Sequence, residues 1–470
     1  MDRKNQFIVS KFGGTSMGNP TAMLQAARII ANKPLVKMVV VSATSGTTTQ
    51  LLRIHQLQKQ KDLAALQIEL NALKTRHLDM ALHLEGDEEL HAPLKILLAE
   101  LDALTKPEIE LDADGAALDL LLSYGERLSA VLFAQALRRE GKVVSLLDAR
   151  ELLLTDSHFG KAEPILREAS PLAQQVKNEI QNAQLPEQIF LTQGFIGADA
   201  QGRTTTLGRG GSDYSAALFA EMFGASEVEI WTDVPGILTM DPRAVPSAKI
   251  IPEISFAEAA EMANFGAKVL HPATLWPAMR ARIPVFIGST FHPEQGGTRI
   301  LPDAPAGPAL ATPQIRAIAI RKKQTLITVS SLRMLNAHGF LAKIFEVLAR
   351  HRLSVDLVTT SEVSVALTID ETALGSAGKS ILENTDMLSE LRSFAEVQVE
   401  EDLSLVAIIG NSLNRSAGVA AKVFQAITEF NMRLICHGAS EHNLCFLVSS
   451  AEAPEVAKRL HHVCIEWSSR

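Results

Sequence analysis

Short β-rich apolar runs recur along roughly the first 300 positions. They fall at Phe7 to Ser10, Lys37 to Val41, Val143 to Leu147, Ile189 to Thr192, Val228 to Thr232 and Val285 to Ile287. Each gives way to a loop rich in Gly, Ser, Thr or Lys and then to residues at helical spacing, as near Pro20 to Asn32 and Tyr214 to Phe223. Strands alternating with helices predict a mainly parallel sheet covered on both faces. In such sheets ligands bind at the carboxyl ends of the strands, where these loops lie. The stretch from Gln50 to about Glu110 departs from the alternation. Leu63, Leu66, Leu70 and Leu73 repeat at helical spacing there and predict a helical excursion packed on the sheet.

The segment from Leu301 to Gln314 carries Pro302, Pro305, Pro308 and Pro313, which break both helix and sheet. Beyond it the pattern repeats. Gly339, Ala342-Lys343, Phe345 and Ser361-Glu362 recur as Gly418, Ala421-Lys422, Phe424 and Ser440-Glu441, each 79 positions on. The first copy predicts a helix from Phe340, then strands over Leu353 to Val358 and Val363 to Ile369. Two ferredoxin-like α+β modules follow, with the character of a sensing or assembly unit. The expected division is an α/β domain at 1–298, a linker at 299–314, and modules at 315–400 and 401–470.

Composition narrows the class. A net charge of −8 argues against a nucleic-acid groove or an anionic membrane surface. No apolar run reaches membrane-spanning length and no signal peptide opens the chain, so a cytoplasmic protein is expected. Cys436, His437, His442 and Cys445 fit no standard zinc spacing, and the apolar residues around both cysteines predict strands. No metal site is expected there.

The richest chemistry lies in R-T-T-T-L-G-R-G-G-S-D-Y-S-A-A at 203–217. Gly208, Gly210 and Gly211 suit positive φ and close approach to a ligand. Ser212 or Asp213 suits an N-cap, and Arg209 offers a planar fork for a carboxylate or phosphate. The loop is neither a Walker A sequence nor a dinucleotide fingerprint, so alone it predicts an anion site. Lys11 with Gly13-Gly14 ends the first strand, and an ammonium with two glycine N–H groups suits a polyphosphate. Ser123-Tyr-Gly-Glu-Arg127 is expected at a helix start, where Glu126 either binds an ammonium or is a first-turn acid. Trp231-Thr-Asp-Val-Pro-Gly236, Asp241-Pro-Arg243, Phe265-Gly-Ala-Lys268 and the hydroxyl-rich loop closed by Thr48 complete the set.

Jointly these segments resemble the aspartokinases of the amino-acid kinase superfamily. Lys11-Phe-Gly-Gly-Thr-Ser16, 205–214, 231–237, 241–243 and 265–272 match that signature in order and spacing. G-F-L-A at 339–342 and S-V-D-L-V-T-T-S-E-V-S-V at 354–365 resemble the first ACT module of the lysine-sensitive type. The resemblance implies transfer of the γ-phosphoryl of Mg-ATP to the β-carboxylate of L-aspartate. It implies that Lys11 and Lys268 neutralise phosphates and that Asp213 orients the catalytic Lys. Arg209 would hold the substrate α-carboxylate and Glu126 its ammonium, with Ser42, Thr48, Gly210, Gly211 and Ser212 completing the pocket. Gly13, Gly14, Thr232, Asp233, Leu238 and Arg243 would hold ATP.

Met334, Ala337, Phe340, Leu341, Ser354, Val355, Asp356, Thr360, Ser361 and Glu362 would bind L-lysine, and the ACT modules would pair subunits as a homodimer or a dimer of dimers. Two positions depart from the pattern. Leu238 replaces Tyr, implying weaker ATP binding, and Ala337 replaces Ser, implying one fewer hydrogen bond to the effector. The second copy has Arg433 and Leu434 in place of Val355 and Asp356, so an interfacial role is expected there. A kinase of another small amino acid, or a catalytically inactive amino-acid sensor, are the alternative readings.

Overall fold

The computed structural model of the chain describes residues 6–106, 114–166, 170–182, 187–266, 272–303, 315–334, 338–370 and 380–466. They form two compact units. The first holds the chain up to Ile237, Ile250–Phe256 and the segment up to 303; the second holds Leu238–Lys249, the stretch from Ala257 to 266, and everything from Ile315 onward.

The strands of the first unit are β1 (Ile8–Phe12), β2 (Val36–Val41), β3 (Val143–Leu147), β4 (Gln188–Gln193), β5 (Ile196–Ala198), β6 (Thr204–Thr206), β7 (Glu227–Thr232), β8 (Glu253–Ser255), β9 (Val285–Ser289) and β10 (Gly297–Leu301). Its helices are α1 (Pro20–Ala31), α2 (Thr47–Gln60), α3 (Leu63–His83), α4 (Glu88–Leu104), α5 (Ala116–Arg139), α6 (Ala149–Leu152), α7 (Pro171–Asn182) and α8 (Gly211–Phe223); α9 (Phe256–Asn264) leads into the second unit and α10 (Pro272–Ala281) returns to the first. Eight strands form one sheet in the order β3-β4-β2-β1-β7-β9-β10-β8, while β5 and β6 make a separate antiparallel pair. The large sheet is parallel except that β10 runs antiparallel to β9. The short runs β8 and β10 carry no apolar block long enough to predict them.

β1 is central, with Lys11 opposite Val40 of β2 and Ile230 of β7. The chain steps to one side of β1 through β2 and to the other through β7, so the connections diverge at β1, where open α/β sheets bind ligands. Phe12 stacks on Trp231 and tilts against Phe133 of α5 beneath this point. The expected helical excursion is α2, α3 and α4, with Leu66, Leu70 and Leu73 buried.

Two local expectations are corrected. The Ser123–Arg127 segment lies in the interior of α5, because the run A-A-L-D-L-L-L extends the helix back to Gly115, which caps it in the left-handed region. Neither Ser212 nor Asp213 caps α8: Gly210, at φ 74°, takes that place and both residues sit in the first turn. Gly224 ends α8 in the left-handed conformation, as its position suggested.

In the second unit, β11 (Ile315–Ser330), β12 (Val358–Thr360), β13 (Ser364–Asp370), β14 (Glu396–Gly410), β15 (Leu434–His437) and β16 (Asn443–Ser449) form one sheet in the order β12-β13-β11-β14-β16-β15. Helices α11 (Phe340–Arg350), α12 (Thr385–Arg392), α13 (Val419–Ala426) and α14 (Ala453–His461) complete it. The repeat is real at backbone level: Gly339 and Gly418 cap α11 and α13 with the same positive φ, 78° and 84°. The strand expected over Leu353 to Val358 begins only at Val358, and its three residues are exposed. Cys436 and Cys445 face each other across β15 and β16. Among the described residues, no helix is long and apolar enough to cross a membrane.

Candidate active site

An open cleft of about 560 Å³ lies at the carboxyl ends of the central strands of the first unit. β1 delivers Lys11 to its floor as a nearly buried side chain. Its ammonium lies 2.5 Å from a carboxylate oxygen of Asp213, in the first turn of α8. A carboxylate at a helix N-terminus is favoured by the dipole, so Asp213 is well placed to fix the direction of the lysine. Gly13 and Gly14 continue from β1 along the wall. A Cβ on Gly13 would meet the Lys11 ammonium at 3.4 Å and one on Gly14 would meet the Ala43 carbonyl at 3.2 Å, so side chains would fill the space they leave. The expectation of two available glycine N–H groups is corrected: the Gly13 N–H donates to the Trp231 carbonyl at 3.0 Å.

α5 ties together two walls of the cleft. Asp119 and Glu126 are seven residues apart, two helical turns, and share a face. Buried Asp119 accepts from the Thr206 N–H at 2.7 Å, the Thr206 hydroxyl at 2.9 Å and the Gly160 N–H at 2.8 Å, anchoring β6 just before the Gly-rich loop. Glu126 accepts weakly from the Ala43 N–H at 3.3 Å through Oε1, while its Oε2 is buried without a hydrogen-bond partner among the described residues. Burial pushes the Glu126 carboxyl up to about 8. An orphaned, buried carboxyl lining a cleft suits a ligand cation. Sequence alone left Glu126 open between this role and a first-turn acid; its place inside α5 removes the second.

The Gly-rich loop forms the facing wall. Gly208 and Gly210 have positive φ, 76° and 74°. Gly211 does not; it is required for approach, since its Cβ would lie 2.6 Å from the Phe195 ring. Arg209 is exposed and has no side-chain partner among the described residues. Phe195, which sequence reasoning missed, also lines the cleft at φ 70°, a strained backbone for a bulky residue of the kind found at functional sites.

The cleft therefore brings Lys11, Gly13, Gly14, Glu126 and Arg209–Asp213 together with Ser42 of the loop after β2, Thr48 in the first turn of α2 rather than in that loop, and Thr232 and Asp233 at the end of β7. The Thr232 hydroxyl donates to Asp233 at 3.0 Å. Leu238 and Arg243 are not among its lining residues and fall in the second unit, where Arg243 makes a bidentate pair with Asp241. Lys268 lies outside the described residues.

The candidate effector residues belong to the second unit. Thr360, Ser361 and Glu362 are exposed at and just beyond the β12 edge, Leu341 is exposed on α11, and Met334, Phe340 and Val355 are partly buried against the first-module core. Ser354 is exposed. Asp356 lies 3.3 Å from Arg321, which also pairs with Asp370 at 2.6 Å; burial raises the Asp356 carboxyl. Ala337 lies outside the described residues. In the second copy, Ser440 and Asn443 both donate to Glu261 of α9, at 2.7 and 2.8 Å.

Residues 6–289 match the amino acid kinase family, and residues 327–384 and 406–463 match an ACT domain. The lysine-sensitive aspartokinase 3 of Escherichia coli is 45% identical over 97% of this chain and 99% of its own. The chloroplastic aspartokinase 3 of Arabidopsis thaliana is 32% identical over 98% of this chain and 82% of its own. Two crystal structures of E. coli aspartokinase III, one with aspartate and ADP and one with lysine and aspartate, superpose with TM-scores of 0.80 at 44% identity. They cover 97% and 98% of this chain and 99% of theirs. Fold, cleft and full-length likeness agree, and the chain belongs to the aspartokinases of the amino acid kinase family.

Proposed function

We propose that the cleft transfers the γ-phosphoryl group of Mg-ATP to the β-carboxylate of L-aspartate, giving 4-phospho-L-aspartate, and that L-lysine bound at the first ACT module inhibits it. The observation that carries this reading is the buried, unpartnered Oε2 of Glu126 in the same cleft as the Lys11–Asp213 pair and the unpaired Arg209. That set offers an anion for an α-ammonium, a cation for an α-carboxylate and a fixed ammonium for phosphate charge.

Mg-ATP supplies the phosphoryl group, and the residues present fit it: the Lys11 ammonium is held at the cleft floor by Asp213, and Gly14 keeps the wall open where a Cβ would come within 3.2 Å of the Ala43 carbonyl. The nucleophile is a carboxylate, ionised at neutral pH, so no general base is needed and catalysis reduces to positioning and charge neutralisation. Asp213 directs Lys11 at the oxygens that gain charge. Glu126 and Arg209 fix the backbone end of the amino acid, with Ser42 and Thr48 beside it. Thr232 and Asp233 lie on the nucleotide side, with Arg243 and Leu238 assigned to ATP by family likeness, and Lys268 supplies a second cation. Mg²⁺ bound with the ATP phosphates would need few ligands from this chain and would add to the charge neutralisation that Lys11 supplies.

For the effector, Asp356 and Glu362 offer carboxylates to a cationic side chain. Ser440, the counterpart of Ser361, already donates to Glu261, which supports a structural rather than a lysine-binding role for the second copy. The exposed β12 edge supports pairing of subunits through the ACT modules, and the protein is assigned to the cytoplasm.

The test is ATP turnover with L-aspartate and Mg²⁺, trapping the acyl phosphate as its hydroxamate while L-lysine and then L-threonine are titrated. Turnover that falls with lysine alone supports both parts. Turnover insensitive to lysine retains the kinase and removes the effector. No trapped product with aspartate overturns the substrate assignment.

A further inference from the structure

The segment after β2, residues 42–49, which runs from a short loop into the first turn of α2, forms one wall of the cleft through Ser42, Thr44 and Thr48 and holds Glu126 through the Ala43 N–H. It is braced from outside the cleft by α3, a helix with no cleft-lining residue. Two consecutive α3 residues reach it. Arg76 donates through Nη1 to the Ser45 carbonyl at 3.2 Å and through Nη2 to the Thr47 hydroxyl at 2.5 Å. His77 is fully buried; its Nδ1 lies 2.8 Å from the Leu73 carbonyl and its Nε2 lies 3.1 Å from the Thr44 hydroxyl. The Thr44 and Thr47 hydroxyls are themselves hydrogen-bonded, and both residues are buried.

For a neutral His77 the donors and acceptors admit one direction. A carbonyl only accepts, so His77 carries its proton on Nδ1 and Nε2 is an acceptor. The single Thr44 hydroxyl proton therefore goes to His77. Thr44 must then accept from Thr47, and Thr47 accepts from Arg76, which only donates. Every hydroxyl in the row gives one proton and receives one: Arg76 to Thr47 to Thr44 to His77 to the Leu73 carbonyl. A neutral His77 is required, and burial lowers its titration to about 4. Removing one member leaves buried polar groups unpaired, which costs more than a typical hydrogen bond gains.

We propose that Arg76 and His77 are positioning residues for the amino-acid side of the cleft, fixing the loop at 42–49 through this one-way hydrogen-bond row. They touch neither the substrate pocket nor the nucleotide side; they act through Thr44 and Thr47. The kinetic form of the proposal rests on the aspartate kinase reading, and its structural form does not.

The experiment compares His77→Leu, which fills the space without an acceptor, with His77→Gln, whose carboxamide oxygen can accept from Thr44. A third variant, Thr47→Val, is nearly isosteric and breaks the row at a residue that does not line the cleft. KM is measured separately for L-aspartate and ATP, and amide hydrogen exchange is followed over 42–49 without ligand. H77L and T47V are expected to raise the KM for aspartate about tenfold, as misplacement of a binding wall does. The KM for ATP should stay within about twofold, and H77Q should return the aspartate value to within about threefold of the parent. An unchanged aspartate KM, or parallel losses for both substrates that H77Q does not rescue, overturns the proposal.

If the parent protein makes no acyl phosphate from aspartate, the functional reading fails and exchange decides the bracing. Faster exchange at 42–49 in H77L and T47V, restored in H77Q, sustains it; unchanged exchange refutes it. If H77L does not fold, T47V carries both measurements.

Discussion

Among single residues, Glu126 makes the sharpest statement. Its carboxyl, ordinarily near 4.5, is held protonated to about 8 by burial, opposed only by backbone hydrogen bonds including that from Ala43. The unfolded chain ionises at the ordinary value, so between about 4.5 and 8 the empty folded protein binds more protons than the unfolded one. Stability then falls as pH rises through that window. An ammonium in the cleft reverses the preference, because an adjacent cation favours the carboxylate. Aspartate binding at pH 7 is therefore expected to release close to one proton, and affinity is expected to rise with pH until about 8. Titration calorimetry in buffers of different ionisation enthalpy measures the release, and Glu126→Gln should abolish it. Binding without proton release in the parent would remove Glu126 from the ammonium site.

At the scale of elements, α5 decides the width of the cleft, and Gly125 decides how near α5 can come. A Cβ there would lie 2.9 Å from the Ala43 Cβ and 3.5 Å from Leu51 and Thr47. Glycine inside a helix costs about 1 kcal/mol relative to alanine, a cost offset here by close packing against the loop at 42–49. Gly125→Ala should leave the urea midpoint nearly unchanged, as helix propensity and overpacking oppose each other. It should raise the KM for aspartate about tenfold by displacing that loop; an unchanged KM would show that the loop yields without consequence.

The same helix shows what was legible in the sequence. The alternation of apolar runs and Gly/Ser/Thr loops located most of the central strands and placed Lys11, Arg209 and Glu126 among the candidates. It placed Glu126 at a helix start rather than in a helix interior, because S-Y-G-E-R reads locally as a first turn and only the preceding A-A-L-D-L-L-L run shows that the helix begins earlier. Phe195, Asp119 and His77 were invisible for a different reason. Their roles depend on contacts across long stretches of chain, such as Asp119 with Thr206, and no local pattern marks them.

On the scale of the whole molecule, sequence order and compact units do not coincide. Leu238–Lys249 precedes the proline-rich segment yet belongs to the second unit. Met240 and Val245 are buried in one cluster with Ile318, Val406 and Phe446, and the Thr239 hydroxyl lies 2.9 Å from buried His461. β11 joins this cluster to the first-module core: Ile318 packs in one and Ile327 in the other, and the register shifts between Arg321 and Gln324, where Lys323 takes φ 59°. The second unit is thus stabilised by residues that read, in sequence, as part of the catalytic half. Met240→Ala should destabilise it by roughly 2–5 kcal/mol through the cavity left behind, a shift of about 4–20 °C in its transition for a unit of this size. Calorimetry with and without L-aspartate separates the two units, because a ligand raises only the transition of the unit that binds it, and the residues proposed to hold aspartate all lie in the first unit. The loss should fall on the transition that aspartate does not raise. If the aspartate-responsive transition drops instead, Met240 serves the catalytic unit and the division of the chain drawn from its packing is wrong.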